Sequence, residues 1–237
     1  TDSWAQYSVA GPNSRKLLQK IVDSPKDISN KNFPFMACRE ITICGGVMAR
    51  LFRISFSGEL AYEIAVPARY GDSLFNILLS EGKEFNAVPY GTEALGVMRI
   101  EKGHAAGNEI NGQTTAQNLG LSRMISKKAD SIGNTLSERE GFNSADIVIL
   151  SGFKPVDKKQ KIEAGSHFIS LDKKPIMEND EGWMSSVAFS PTLGHHIGLG
   201  FIKNGNSRLG ERVLAVNLLQ NKKTEVEIVS PHFIDPE

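Results

Sequence analysis

The 237-residue sequence predicts an α+β fold followed by a small all-β domain. Three observations carry this. The opening stretch reads strand, turn, helix. A period-two alternation of apolar and polar residues starts at Glu40. Beyond Ala145 the chain breaks into short strand-like runs separated by Gly, Pro, Asn and Lys.

The first strand lies within Thr1–Ala10. Gly11-Pro12-Asn13-Ser14 is a turn and N-cap signal, and Leu17, Leu18, Ile21 and Val22 follow at helical spacing until Pro25. Phe52, Ile54 and Phe56 then alternate with Arg53, Ser55 and Ser57, and Leu60, Tyr62, Ile64 and Val66 with Glu59, Ala61, Glu63 and Ala65. This predicts a hairpin about Gly58. A three-residue loop sets Phe56 opposite Leu60, Ile54 opposite Tyr62 and Arg53 opposite Glu63, the register that keeps the apolar faces together. An amphipathic helix carries Leu74, Ile77 and Leu78, and Pro89-Tyr-Gly-Thr92 caps another with Leu95, Met98 and Arg99. Thr114-Thr115 could cap a short helix. Lys127-Lys128 and Asn143-Ser144 read as a boundary, dividing the chain into 1–143 and 144–237. The expected strands of the second part are 145–152, 166–171, 183–190, 195–202, 211–219 and 224–230, as in a small antiparallel barrel or sandwich.

With 40% hydrophobic and 23% charged residues the chain can bury a core. Lys plus Arg and Asp plus Glu both total 27, which gives no general pull toward nucleic acid or an anionic membrane. Apolar runs such as Ile147-Val-Ile-Leu150 are too short to span a bilayer. No basic, apolar leader opens the chain, so a cytoplasmic protein is expected. The missing initial methionine and a strand so near the first residue predict a segment of something longer. Cys38 and Cys44, without a CxxC spacing, read as reduced thiols.

No Walker loop, GxSxG, HExxH or GxGxxG is present, and Gly194, Gly198 and Gly200 are spaced wrongly for a dinucleotide turn. His195-His196 would point to opposite faces of a strand, and His104, His167 and His232 are scattered, so no metal site is expected. Glu59 and Glu63 stand ~13 Å apart along a strand, too far for paired glycosidase carboxylates. Glu63 has two readings. It could pair with Arg53 across the hairpin, or aim into a pocket and accept two parallel hydrogen bonds from a guanidine-like heterocycle edge, as a pterin presents. Arg99 and Glu101 read as solvated helix charges, and Trp183 and Phe189 as core of the β domain.

Several strings resemble the folate-binding aminomethyltransferase family, the glycine-cleavage T-protein and its relatives. These are Arg53-Ile-Ser-Phe-Ser-Gly-Glu-Leu-Ala-Tyr-Glu-Ile64, then Tyr90 to Gly103 with Gly107-Asn-Glu-Ile110, then Ser185 to Gly194 and Ile197-Gly-Leu-Gly-Phe201. Ile28 to Ala37 is similar to the branch formed by alpha chains of heterotetrameric sarcosine oxidases. The resemblance implies a partial T-protein-like fold, a mixed sheet with packed helices before a C-terminal antiparallel β-barrel, with tetrahydrofolate held between lobes. It implies a pterin-binding role for Glu63. Phe56 takes the place of a folate-contacting tyrosine without its hydroxyl, and His104 that of another pocket residue. Leu95 replaces a pterin-contacting arginine one turn before Arg99. The family's catalytic aspartate has no counterpart here, so no catalytic residue is assigned and the chain alone reads as an incomplete enzyme.

The implied function is capture of the methyl-derived carbon of sarcosine as 5,10-methylenetetrahydrofolate. FAD, FMN and NAD would lie elsewhere in an assembly with beta, gamma and delta subunits. The alternatives are a glycine-cleavage aminomethyltransferase, against which Leu95 argues, and a non-catalytic folate-binding or subunit-docking module. The iron–sulfur-supporting relatives carry a cysteine where this chain has His104.

Overall fold

Apolar side chains on alternate positions of Ala61–Pro67 explain the first layer of the structure. Tyr62, Ile64 and Val66 are all buried on one face of this strand. The computed structural model describes residues 2–125, 132–142, 144 and 146–234. It divides into two units, one running to Leu95 and the other beginning at Gly96; the expected boundary residues Lys127, Lys128 and Asn143 lie outside the described residues.

In the first unit β1 (Trp4–Ala10), α1 (Ser14–Ile21), β2 (Cys38–Ile43), β3 (Val47–Phe52), β4 (Ala61–Pro67) and α2 (Gly71–Gly82) follow one another. The strands form an antiparallel sheet in the order β1-β4-β3-β2. One face is covered by α1 through Leu17, Leu18 and Ile21 and by α2 through Leu74 and Leu78, which share a core with Tyr62, Ile64, Val66, Ala49 and Leu51. The other face carries Trp4, Gln6, Ser8, Arg50, Phe52 and Glu63.

Two expectations are corrected here. The alternation after Glu40 is a β2–β3 hairpin before it reaches β4. It turns at Cys44, Gly45 and Gly46, all at positive φ (51°, 81° and 116°). The register about Gly58 is also one residue off the expected one, since Phe52, not Arg53, lies opposite Glu63. The core positions of β3 are Ala49 and Leu51, odd-numbered, whereas Phe52, Ile54 and Phe56 keep the opposite parity. The chain leaves the ladder after Phe52, and the Arg53 N–H bonds to the Ala37 carbonyl at 2.9 Å. Residues 53–60 form a loop in which Ser55 Oγ accepts the Gly58 N–H at 2.9 Å.

The second unit begins within α3 (Thr92–Lys102) and continues through a short α4 (Ile132–Ser137) to β5 (Val148–Pro155), β6 (His167–Ser170), β7 (Gly182–Ser190), β8 (His195–Lys203), β9 (Arg212–Asn217) and β10 (Lys222–Val229). These strands match the expected six closely and close into a barrel in the order β10-β5-β8-β7-β6-β9. Its core stacks Phe153 on Phe168, ring centroids 4.1 Å apart, among Ile162, Met184, Val213 and Val226. Gly200 belongs to this packing rather than to a phosphate-binding turn, because a Cβ there would stand 2.6 Å from the Trp183 carbonyl oxygen. Gly182, at φ +147°, leaves still less room, 1.9 Å to the Phe201 oxygen.

Trp183 packs on Phe201 as expected, but Phe189 is 51% exposed and not in the core. It sits near the end of β7, where its ring stands in a T-shaped contact with His196, centroids 5.7 Å apart. Thr114-Thr115 caps no helix. Thr115 N–H and Oγ1 both bond to Asn118 Oδ1 at 2.8 Å, closing a turn instead. Among the described residues no helix is long and apolar enough to cross a membrane.

Candidate functional site

Glu63 stands half-exposed on the helix-free face of the sheet, between Phe52 of β3 and Ser8 of β1. Its carboxylate accepts a hydrogen bond at Oε2 from the Gln6 side-chain amide. Among the described residues it forms no ion pair. The Arg53 pairing is therefore not made, because Arg53 donates instead to the Phe33 carbonyl at 2.8 Å. A carboxylate with one neutral partner and one open oxygen keeps its capacity to receive N–H donors. Phe56 is exposed on the loop that leads into β4.

In the second unit Arg99 and His104 come together. The Arg99 Nη1 donates to the His104 carbonyl at 3.4 Å, and the His104 N–H to the Arg99 carbonyl at 2.8 Å. Leu95 stands one turn earlier on α3 and is half-buried. Arg99 and Glu101 are not solvated charges, since both are 8% exposed. Arg99 Nη1 meets Glu109 Oε2 at 2.9 Å, and its Nη2 donates to Ser186 Oγ at 2.7 Å. Glu101 accepts from the Ser190 hydroxyl.

Glu109, wholly buried, is the centre of this cluster. It also accepts from the hydroxyls of Ser185 and Ser186 at 2.6 Å each and from the Ala106 N–H at 2.9 Å. Burial alone would raise its pKa. The hydrogen bonds from Ser185, Ser186 and Ala106, with the Arg99 charge, outweigh that and hold it below the ordinary carboxylate value. The His104 pKa is pushed down, first by partial loss of hydration around its ring and then by the Arg99 charge.

Gln6, Glu109, Ser185 and Ser186 were not singled out from the sequence as functional. Glu109 and the two serines do fall inside the family-like strings, which was the signal available. Gln6 gave none, because its partner is set by strand order. A groove of about 260 Å³ runs along β2, lined by Val22, Asp27, Arg39, Ile41, Thr42 and Met48, and none of the predicted site residues borders it. Among the described residues no group of three or more His, Cys, Asp or Glu side chains could hold a metal ion.

A sheet backed by helices, a closed barrel and an acceptor carboxylate on the helix-free sheet face define a two-part class of protein. Residues 1–129 match the GCVT N-terminal domain, and residues 150–235 match the glycine cleavage T-protein C-terminal barrel domain. The chain thus belongs to the glycine cleavage T-protein family. It is 46% identical over its whole length to the sarcosine oxidase subunit alpha of Rhizobium meliloti (strain 1021), covering 24% of that protein. It is 36% identical to the subunit alpha of Corynebacterium sp. (strain U-96), covering 25% of it. The aminomethyltransferase of Thermoanaerobacter sp. (strain X514) is 27% identical over 98% of the chain, which spans 60% of that enzyme. The fold is shared with the glycine cleavage system aminomethyltransferase T from Bartonella henselae, with a TM-score of 0.78 at 21% identity over 99% of this chain and 60% of that one. The chain thus spans only a quarter of the sarcosine oxidase alpha subunits it matches.

Proposed function

We propose that this chain is the tetrahydrofolate-binding, methylene-transfer domain of a sarcosine-oxidase-like alpha subunit, with residues 1–143 shaping the folate site and 144–237 forming its barrel. The observation that carries the reading is the state of Glu63, a half-exposed carboxylate with no cationic partner among the described residues and one neutral amide holding it in place. That acceptor fits a pterin, whose adjacent ring and amino N–H groups require a paired acceptor.

Bound tetrahydrofolate supplies two nitrogens able to take up a carbon at the oxidation level of formaldehyde. Glu63 receives the pterin N–H edge with both carboxylate oxygens, and Gln6 holds the carboxylate in place through the remaining lone pair of Oε2. Phe56 offers a ring face without a hydroxyl, so it contributes stacking and no hydrogen bond. His104 is a further proposed folate contact, and Leu95 supplies an apolar side chain where an arginine would add charge. Arg99 serves by anchoring the segment that bears His104, because its own donors are engaged by Glu109 and Ser186. The gain in rate comes chiefly from holding two reactants together. The greater similarity to sarcosine oxidase alpha subunits than to aminomethyltransferases supports sarcosine as the carbon source and the other oxidase subunits as partners.

Titration with folinic acid, followed by melting temperature, tests the reading. A ligand at a hundred times its Kd adds about 2.7 kcal/mol of stability. The shift should vanish in Glu63→Ala while the unliganded variant melts as the parent does. A shift of equal size in that variant sinks the assignment.

A further inference from the structure

Two aromatic residues stand on the helix-free face of the sheet, and they differ in what covers them. Trp4 lies on β1 opposite Pro67, and the Arg50 guanidinium sits over its ring, 4.1 Å from the centroid. Phe52, the last residue of β3, is half-buried. Among the described residues its ring meets no other ring and no cation, and it joins none of the apolar cores. The part of a phenylalanine left in water contributes nothing to folding, since burial is what stabilises it.

Its place in the ladder gives it a use. Phe52 is the residue of β3 directly opposite Glu63. Side chains so paired share a face and have Cβ atoms about 5 Å apart. On the other flank of Glu63 stands Ser8 of β1, too short to cover a ring. The Gln6 amide also reaches the carboxylate from β1, where its own partner in register is Ala65. The β1 side of the carboxylate is therefore engaged, and the open approach lies over β3, the side on which Phe52 stands. A planar heterocycle giving two parallel N–H bonds to Glu63 lies near the carboxylate plane. A bicyclic one is wider than the strand spacing of about 4.8 Å, so it extends over the neighbouring side chain.

We propose that Phe52 is a further ligand-contacting residue, the ring platform on which the pterin gripped by Glu63 lies. This rests on the folate reading of the site and adds a selectivity to it. Glu63 alone accepts any guanidine-like edge, including that of a flexible chain. A ring face beside the carboxylate favours the flat 2-amino-4-oxopyrimidine half of a pterin, which gains contact over its whole surface.

Calorimetric titration of the full-length protein with folinic acid tests this. Phe52→Ala should raise the Kd about tenfold, whereas Phe52→Tyr, which keeps the ring face, should stay within about twofold of the parent. Phe52→Trp adds a readout that packing alone would not move. Its extra emission should be quenched by folinic acid, and the quenching should disappear when Glu63→Ala is added. If Phe52→Ala lowers the melting temperature, the emission of Phe52→Trp decides. An unchanged Kd in Phe52→Ala beside lost binding in Glu63→Ala would overturn the role of Phe52 and leave the folate reading standing. Equal losses in Phe52→Ala and Phe52→Tyr, or emission from Phe52→Trp that ignores the ligand, would do the same. Unchanged binding in Glu63→Ala would overturn both.

Discussion

Arg99 and Glu109 form an ion pair at 2.9 Å in which the carboxylate is entirely shielded from water and the guanidinium side chain only 10% exposed. The pair ties the C-terminal half of α3 and the turn after it to Ser185 and Ser186 of β7. Removing one member strands the other charge in a poor solvent. Glu109→Ala should therefore destabilise the protein by about 3–5 kcal/mol, read as a lower urea midpoint at constant m-value. A loss below about 1 kcal/mol would mean that water reaches Arg99 readily.

The same carboxylate sets a direction for pH. Its folded pKa lies below the ordinary 4.5, so the unfolded chain binds a proton more readily than the folded one. The stability it contributes is complete above about pH 4.5 and is lost as pH falls through the lower folded value. Glu109→Gln should flatten part of the acid limb of a stability–pH curve. Parallel limbs in the two proteins would assign acid sensitivity to other groups, such as Glu211 beside Arg208.

Gln6 is expected to matter for ligand and little for folding. It lies on β1 and holds Glu63 through a single side-chain hydrogen bond. Gln6→Ala should weaken folinic acid binding by about fivefold, the equivalent of one ordinary hydrogen bond, with stability changed by less than about 1 kcal/mol. Calorimetric titration beside a thermal melt separates the two effects.

The two barrel phenylalanines should respond very differently to truncation. Phe153→Ala opens a cavity beside Phe168 and should cost about 3–5 kcal/mol. Phe189→Ala removes a ring already half in water and should stay within about 1 kcal/mol. Chemical denaturation of both variants distinguishes them.

That contrast shows what periodicity could and could not convey. The barrel strands were legible because each is short, apolar and bounded by turn residues, and hydrogen bonding to both neighbours leaves few alternatives. Phe189 was misplaced because an aromatic residue near a strand end carries no mark of which way the barrel wall faces. The β3–β4 register was missed because Phe52, Ile54 and Phe56 continue an apolar alternation past the point where Arg53 leaves the ladder for Ala37. Glu63 itself was visible, but its partner Gln6 comes from β1, placed beside β4 by a sheet order that local sequence does not encode. Arg99 looked like an ordinary helix cation because Glu109 reaches it only after the chain turns at Gly103.

The ring of β10, β5, β8, β7, β6 and β9 returns upon itself, so every strand in it already has two neighbours. The seam between β6 and β7 is narrow, a single pair of His167 with Trp183, and the other seams are longer ladders. Ring closure leaves the barrel little free edge for fibre-like propagation outside that seam. The four-stranded layer differs, because among the described residues β1 pairs on one side only and the outer side of β2 meets just the short segment 21–23. Among the described residues, β1 is the longest edge at which this layer could be lengthened by an additional strand.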